Sequence, residues 1–260
     1  MCTSSRQTEV RALHEGPSFV IPNPWDAGSA RMLEALGFKA LATTSSGFAF
    51  TLGRPDGGVT LDEVVAHTRT LAAAVEIPVA VDLENGYGAA PEDAARAVRA
   101  AAEAGAAGGS IEDWDPDAGI YPLEPAAERI AAAVEASRAW GFVLTARAEN
   151  HIRGNPDLDD TIARLRAYQA AGADVLYAPG LRNGDEIRAV CDAVSKPVNV
   201  LAHPGLTLAE IVEAGGQRIS VGGQLTWVAA AAAAEAAVKI RDEGDFSALA
   251  ARLQGADWLR

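Results

Sequence analysis

Val81-Asp82-Leu83-Glu84-Asn85-Gly86-Tyr87-Gly88 is the stretch from which the fold can be read. It continues Ile77-Pro78-Val79-Ala80, and an apolar, β-branched run opened by a proline predicts a buried strand, which Gly86 and Gly88 end. Side chains two apart on a strand point the same way, so Asp82 and Glu84 share a face at the strand's carboxyl end. Two carboxylates that close repel unless a cation or a proton lies between them. A hard divalent cation held through oxygen and water, Mg²⁺ above all, is the simplest occupant. An ordinary polar strand end running into an acidic turn fits the octapeptide equally well, so the rest of the chain has to separate the two.

Outward from this stretch, one unit recurs: a short β-branched run, a loop with Gly, Pro, Asn or Asp, then an alanine-rich amphipathic helix. Eight strands are expected, near Phe19–Ile21, Ala40–Thr44, Val79–Leu83, Gly109–Glu112, Val143–Ala146, Val175–Ala178, Val198–Leu201 and Arg218–Val221. Helical patterns lie near 26–36, 60–75, 91–104, 123–140, 157–171, 183–194, 207–214 and 224–242. Pro91 with Glu92 and Asp93 suits a first turn, as do Asp62 and Glu63 after Thr60. Gly37, Gly105, Gly141, Gly172 and Gly215 stand where helices should stop. Strict alternation of strand and helix means a parallel sheet with right-handed crossovers. Eight units in 260 residues, without a Gly-x-Gly-x-x-Gly after any strand, favour one (β/α)8 TIM-type barrel over an open dinucleotide-binding sheet. We read residues 1–260 as this barrel domain with a C-terminal helical extension.

The net charge of −13 argues against nucleic acid and anionic membranes as partners. Cys2 and Cys191 make no disulfide framework and suit no zinc site. The start, Met1 to Glu9, lacks the apolar core of a signal peptide, and the alanine-rich run Trp227–Val238 is too short to span a bilayer. The expectation is a cytoplasmic protein.

In such barrels chemistry sits at the carboxyl ends of the strands. The polar residues there are Asn23, Trp25 and Asp26; Thr44, Ser45, Ser46 and Gly47; Asp82 and Glu84; Glu112 and Asp113; Arg147, Glu149 and Asn150; then Asn199 and His203. Acids on several neighbouring strands beside one arginine could hold a metal and a carboxylate ligand together. Salt bridges from Arg147 to Glu112 or Glu149 are the bland version of the same pattern. Arg54-Pro55-Asp56-Gly57-Gly58 also reads as a surface turn. His14 and His67 read as surface residues, and His203 as a loop histidine or a catalytic acid or base.

With these residues placed, the sequence resembles the isocitrate lyase/phosphoenolpyruvate mutase superfamily, and more closely its phosphonomutase-like branch. The matching stretches are Pro22-Asn23-Pro24-Trp25-Asp26, Thr44-Ser45-Ser46-Gly47, Pro55-Asp56-Gly57-Gly58, Asp82 to Gly88, Ser110-Ile111-Glu112-Asp113, Thr145-Ala146-Arg147 and Ser220-Val221-Gly222-Gly223. The resemblance implies a barrel whose eighth helix is swapped between subunits of a homo-oligomer, dimer or tetramer. It implies Mg²⁺ near Asp82, Glu84 and Glu112, largely through water, and a small 2-oxo or 2-hydroxy carboxylate chelating it. Ser46 and Gly47 would supply backbone donors to the oxo or enolate oxygen, and Arg147 would grip the substrate carboxylate. Asp56 would be the loop acid near the reacting end; Trp25 and Asn199 are further candidates for the substrate pocket.

One departure bears on the reaction. C–C lyases of the family carry Lys-Cys-Gly on the loop after the fourth strand. Here that segment, Asp113-Trp114-Asp115-Pro116-Asp117-Ala118-Gly119-Ile120-Tyr121-Pro122, has neither Cys nor Lys, and its acids would repel a phosphonate. The expected activity is a Mg²⁺-dependent lyase or decarboxylase working through a pyruvate enolate. The alternatives are a phosphoenolpyruvate mutase or phosphonopyruvate hydrolase, and a barrel that only binds a carboxylate.

Overall fold

The computed structural model describes residues 4–252; Cys2 lies outside them. Eight parallel strands form the expected barrel: β1 (Phe19–Ile21), β2 (Leu41–Ala42), β3 (Val79–Asp82), β4 (Gly108–Glu112), then β7 (Val143–Arg147), β8 (Val175–Tyr177), β9 (Val198–Leu201) and β10 (Arg218–Ser220). A small antiparallel hairpin, β5 (Trp114–Asp115) and β6 (Gly119–Ile120), stands between β4 and β7. The strand order is β1-β10-β9-β8-β7-β4-β3-β2. Its two ends meet where Ala42 N donates to Pro22 O at 3.1 Å. Asn23 secures this seam: its Nδ2 donates to Thr43 O and its Oδ1 accepts from Val221 N.

The helices follow their sequence signals. α4 (Leu61–Ala74) opens with a Thr60–Glu63 capping box, and α5 (Pro91–Glu103) has its proline at the first position. The five glycines expected to stop helices, Gly37, Gly105, Gly141, Gly172 and Gly215, all have left-handed φ between +63° and +102°, a region that costs an L-residue with a side chain roughly 1–2 kcal/mol. The remaining barrel helices are α2 (Ala27–Ala35), α6 (Leu123–Arg138), α7 (Leu158–Ala170), α8 (Gly184–Ala193), α9 (Leu208–Glu213) and α10 (Gln224–Glu243). Alanines on α5 (Ala94, Ala97, Ala101) are fully buried, which allows close packing against α6.

Two helices were not foreseen. α1 (Ser4–Glu15) packs Val10 with Ala107, Val143 and Val175, and Leu13 against Ile21, Ala40 and Ala80. α3 (Ser45–Thr51) begins directly after β2, capped by Thr44.

His14 and His67 are not surface residues. His14 Nδ1 meets Val10 O at 2.7 Å and its ring sits edge-on to Phe19, while His67 stacks on Phe48 at 3.9 Å between centroids. In both rings Nε2 is enclosed without a partner. Burial lowers both pKa values to about 4. A base whose folded pKa lies below its unfolded value keeps its full contribution above the unfolded pKa, near 6.5, and loses it as pH falls toward 4. His67→Phe keeps the stacked ring and removes the titration. We expect its melting temperature to equal the wild type's at pH 7.5 and to exceed it by several degrees at pH 4.5, read from paired melting curves across that range.

Candidate active site

The site is built on the turn after β3. Glu84 and Tyr87 adopt left-handed φ of +47° and +61°, conformations that side-chain-bearing residues hold only when surroundings enforce them. Here the enforcement is visible. Glu84 N donates to Asp82 Oδ1 at 3.3 Å, and Glu84 O accepts from Glu112 N at 2.8 Å, tying the turn to the end of β4. Gly86 packs so closely on α5 that a Cβ there would lie 2.9 Å from Ala94 Cα. Tyr87 Oη then reaches back to donate to Glu84 Oε1 at 3.1 Å.

Arg147, at the end of β7, is the hub. Its Nη1 donates to Asp82 Oδ1 at 2.9 Å, its Nη2 lies 3.0 Å from Glu112 Oε2, and its Nε donates to Glu149 Oε1 at 3.0 Å. Register accounts for the meeting: Glu112 and Arg147 are direct partners across β4 and β7, and same-side placement brings their side chains together. The salt bridges foreseen as the bland reading of Arg147 are therefore present, alongside one to Asp82. Arg153 adds a more distant cation, its Nη2 3.8 Å from Glu112 and its guanidinium stacked on Trp114 at 3.5 Å.

Asp82 lines a cavity of about 170 Å³ together with Ser45, Ser46, Asp56, Arg147 and Asn199. Its Oδ1 is committed to Arg147, Glu84 N and Ser110 Oγ; its Oδ2 has only a long contact from Ser45 N at 3.4 Å. Glu84 and Glu112 line an adjoining space that meets the first at Ser45, Asp56 and Arg147. Burial, then Asp82, then Asp56 raise the Glu84 pKa to about 7, and burial pushes Glu112 well above its usual range against the pull of Arg147. Five carboxylates (Asp56, Asp82, Glu84, Glu112, Glu149) thus stand with three guanidiniums, those of Arg147, Arg153 and, on the wall of the first cavity, Arg218. Among the described residues no three His, Cys, Asp or Glu side chains converge as direct ligands on one point. The donor set suits a hydrated cation anchored by one or two carboxylates, which is how Mg²⁺ is ordinarily bound.

Other residues stand outside this arrangement. Gly47 is buried under the start of α10, where a Cβ would lie 2.6 Å from Thr226 Oγ1, and its N–H is turned to Thr44 Oγ1. Trp25 packs against Gly47 and lines neither space. His203 lies in a separate surface pocket, its Nε2 3.1 Å from Arg182 O and its Nδ1 accepting from Gly205 N. Asp113, read from the sequence only as one of the polar strand-end residues, has a positioning part here. Asp113 Oδ1 accepts from Glu149 N at 2.7 Å, and its Oδ2 accepts from Arg164 and the Tyr168 hydroxyl, so it fixes the chain that carries Glu149. The sequence signals were the place of Asp113 beside Glu112 at a strand end and the Arg147-Ala148-Glu149 spacing, which puts cation and acid on one face.

A family model described as phosphoenolpyruvate phosphomutase matches residues 10–241. The chain belongs to this family. Its barrel superposes with a TM-score of 0.95 on a crystal structure from Burkholderia cenocepacia, provisionally described as a lyase/mutase, at 50% identity over 99% of this chain and 95% of that one. It is 31% identical to the oxaloacetate decarboxylase of Bradyrhizobium diazoefficiens over 94% of this chain and 88% of the relative. It also superposes on oxaloacetate acetylhydrolase in complex with the product oxalate, with a TM-score of 0.86 at 29% identity, covering 94% and 89% of the two chains. Members of the wider superfamily are lyases and mutases.

Within this family member, the segment after β4 is the hairpin β5–β6. It is held by Tyr121 N donating to Asp113 O, the Tyr121 hydroxyl donating to Asp115, and Asn85 Nδ2 donating to Asp115. It brings no cysteine or lysine toward Asp82. Cys191 sits on α8, and burial raises its thiol pKa to about 11.

Proposed function

We propose that this chain is a Mg²⁺-dependent lyase or decarboxylase that cleaves the C3–C4 bond of a small 2-oxo acid of the oxaloacetate class, one carbon removed from the carbonyl, so that the electron pair of the broken bond passes into the C2 carbonyl and leaves a pyruvate enolate. The observation that carries this reading is the cluster of acids at the carboxyl ends of β3, β4 and β7, where Asp82, Glu84, Glu112 and Glu149, with Asp56 on the loop after α3, outnumber the guanidiniums of Arg147, Arg153 and Arg218. Buried carboxylates left without counter-charge cost several kcal/mol, so such a cluster supports a cation as part of the working site. Asp82 would hold it, with Glu84, Glu112 and Asp56 acting through water. When bound, Mg²⁺ supplies positive charge to a developing enolate oxygen.

The chain's own residues do the rest. Arg147 keeps Asp82 paired and offers positive charge to the cavity that receives the substrate carboxylate. Ser45 and Ser46 line that cavity beside Asp82. The hairpin without a cysteine or lysine acid supports decarboxylation over protonation-dependent C–C cleavage, because carbon dioxide departs without needing a proton. The likeness to an oxaloacetate decarboxylase points the same way. Phosphoryl transfer, for which the family is named, is disfavoured by Asp115 and Asp117 on that hairpin.

α10 supports an oligomer. Among its described residues only Thr226 is buried, and Trp227, Val228 and Val238 expose apolar surface; exchange of this helix between subunits would cover it.

Pyruvate release from oxaloacetate, followed by a coupled dehydrogenase assay, tests the proposal. We expect turnover that depends on Mg²⁺ and stops with EDTA. Metal-independent turnover, or phosphonopyruvate consumption seen by phosphorus NMR without any oxaloacetate turnover, would refute it.

A further inference from the structure

Arg218 opens β10 from inside the barrel and is 6% exposed. The other enclosed arginines each have partners at Nη: Arg129 the carbonyls of Asn85, Gly88 and Ala90, Arg164 through Nη1 Asp113 and the Tyr121 carbonyl, and Arg147 acids at both Nη atoms. Arg218 differs. Its Nε donates to Asn199 Oδ1 at 2.7 Å, and no other protein hydrogen bond or ion pair engages its guanidinium among the described residues. The residue lines the same cavity as Asp82 and Arg147, and its Nη atoms are not fully enclosed, which leaves them free to face that cavity. Burial lowers its pKa to about 10, which leaves it charged at neutral pH. An unpaired buried cation is costly, and a fold that keeps one beside a cavity leaves its counter-charge to a ligand.

Strand register gives the placement. Arg147 pairs with Tyr177, Tyr177 with Asn199, and Asn199 with Arg218. In-register neighbours of a parallel sheet face the same side, so these four side chains form one row along the barrel wall with a cation at each end. Asn199 fixes its end of the row: its Nδ2 donates to Ser220 Oγ at 2.9 Å while its Oδ1 holds Arg218 Nε. This leaves the Nη edge oriented as a fork, the geometry that matches a carboxylate.

We propose that Arg218, positioned by Asn199, binds the second carboxylate of the substrate, so that the cavity selects dicarboxylates over monocarboxylates. The assignment deepens the proposed function and rests on the Asp82–Arg147 end taking the 2-oxo or 2-hydroxy acid group. Oxalate, whose two carboxyl carbons are bonded directly, serves as the probe of that end.

The test is calorimetric titration of malate, lactate and oxalate into the full chain, with Mg²⁺ and with EDTA. In the wild type we expect malate to bind at least tenfold more tightly than lactate. Arg218→Gln should erase that preference while changing oxalate affinity less than twofold, and Arg218→Lys, which keeps the charge on a shorter fork-less head, should retain part of it. Folding of each variant is checked by its circular dichroism and melting curve; if Arg218→Gln fails to fold, the malate-to-lactate ratio of Arg218→Lys decides. A wild type that does not prefer malate, or a variant that loses oxalate and malate equally or neither, overturns the assignment. Oxalate binding indifferent to Mg²⁺ with the malate preference intact would instead count against the metal end only.

Discussion

Arg147→Leu should lose about 3–5 kcal/mol of stability, the usual cost of removing one partner from a buried ion cluster. For a chain of this size that is a fall in melting temperature of about 10 °C. The reason is specific. Asp82, Glu112 and Glu149 each lie about 3 Å from this one guanidinium, and Glu149 is fully buried. The leucine fills some of the volume but strands three carboxylates, of which only Glu112 and Glu149 retain a distant contact with Arg153. Adding Glu149→Gln removes one stranded charge and should recover at least about 1 kcal/mol, a coupling that independent sites do not show. Urea unfolding of the wild type, both single variants and the double variant measures it. A neutral Arg147→Leu, or strict additivity, would show that the cluster is not held as described.

Asp82→Asn should lower kcat/KM for oxaloacetate by at least about 10³-fold, roughly 4 kcal/mol of transition-state stabilisation. The change is isosteric, and the amide oxygen it introduces can still accept from Arg147 and Glu84 N, so the fold should persist with a melting temperature within a few degrees of the wild type. What disappears is the charge that anchors the cation. Activity within tenfold of wild type, in saturating Mg²⁺, would remove Asp82 from the metal site. Glu84→Gln and Glu112→Gln, acting through water, should cost less than Asp82→Asn in the same assay.

The barrel was legible because parallel strands buried on both faces read as β-branched runs, and because glycines stand at the helix ends. α3 was not legible: Ser45–Thr51 has no charged residue and no apolar stripe long enough to show a helical period, and its one signal was the Thr44 cap. His14 and His67 were misplaced because a polar residue on a helix is exposed by default, and their burial arises from rings packed by distant parts of the chain. At the site, Asp82, Glu112 and Arg147 were named from their places at strand ends, and the structure gathers them. The roles of Asp113 and Arg218 depend on which strand lies beside which and in what register, information that no single segment carries. Arg218 did leave a trace, a charged residue opening a short strand whose next residue is the buried Ile219. His203 was left open between a loop histidine and an acid or base, and its loop turns the ring to the Arg182 carbonyl, in a pocket separate from Asp82.

The account rests most on a cation gathered by Asp82 between the acids of β3 and β4, with the acid ligand beside Arg147. Crystals grown with Mn²⁺ and oxalate test it directly through the anomalous signal of the metal. The prediction is a single strong peak against the Asp82 carboxylate, with oxalate density running from it toward Ser46 and Arg147. A peak elsewhere, or oxalate bound in that cavity without metal at saturating Mn²⁺, would contradict it.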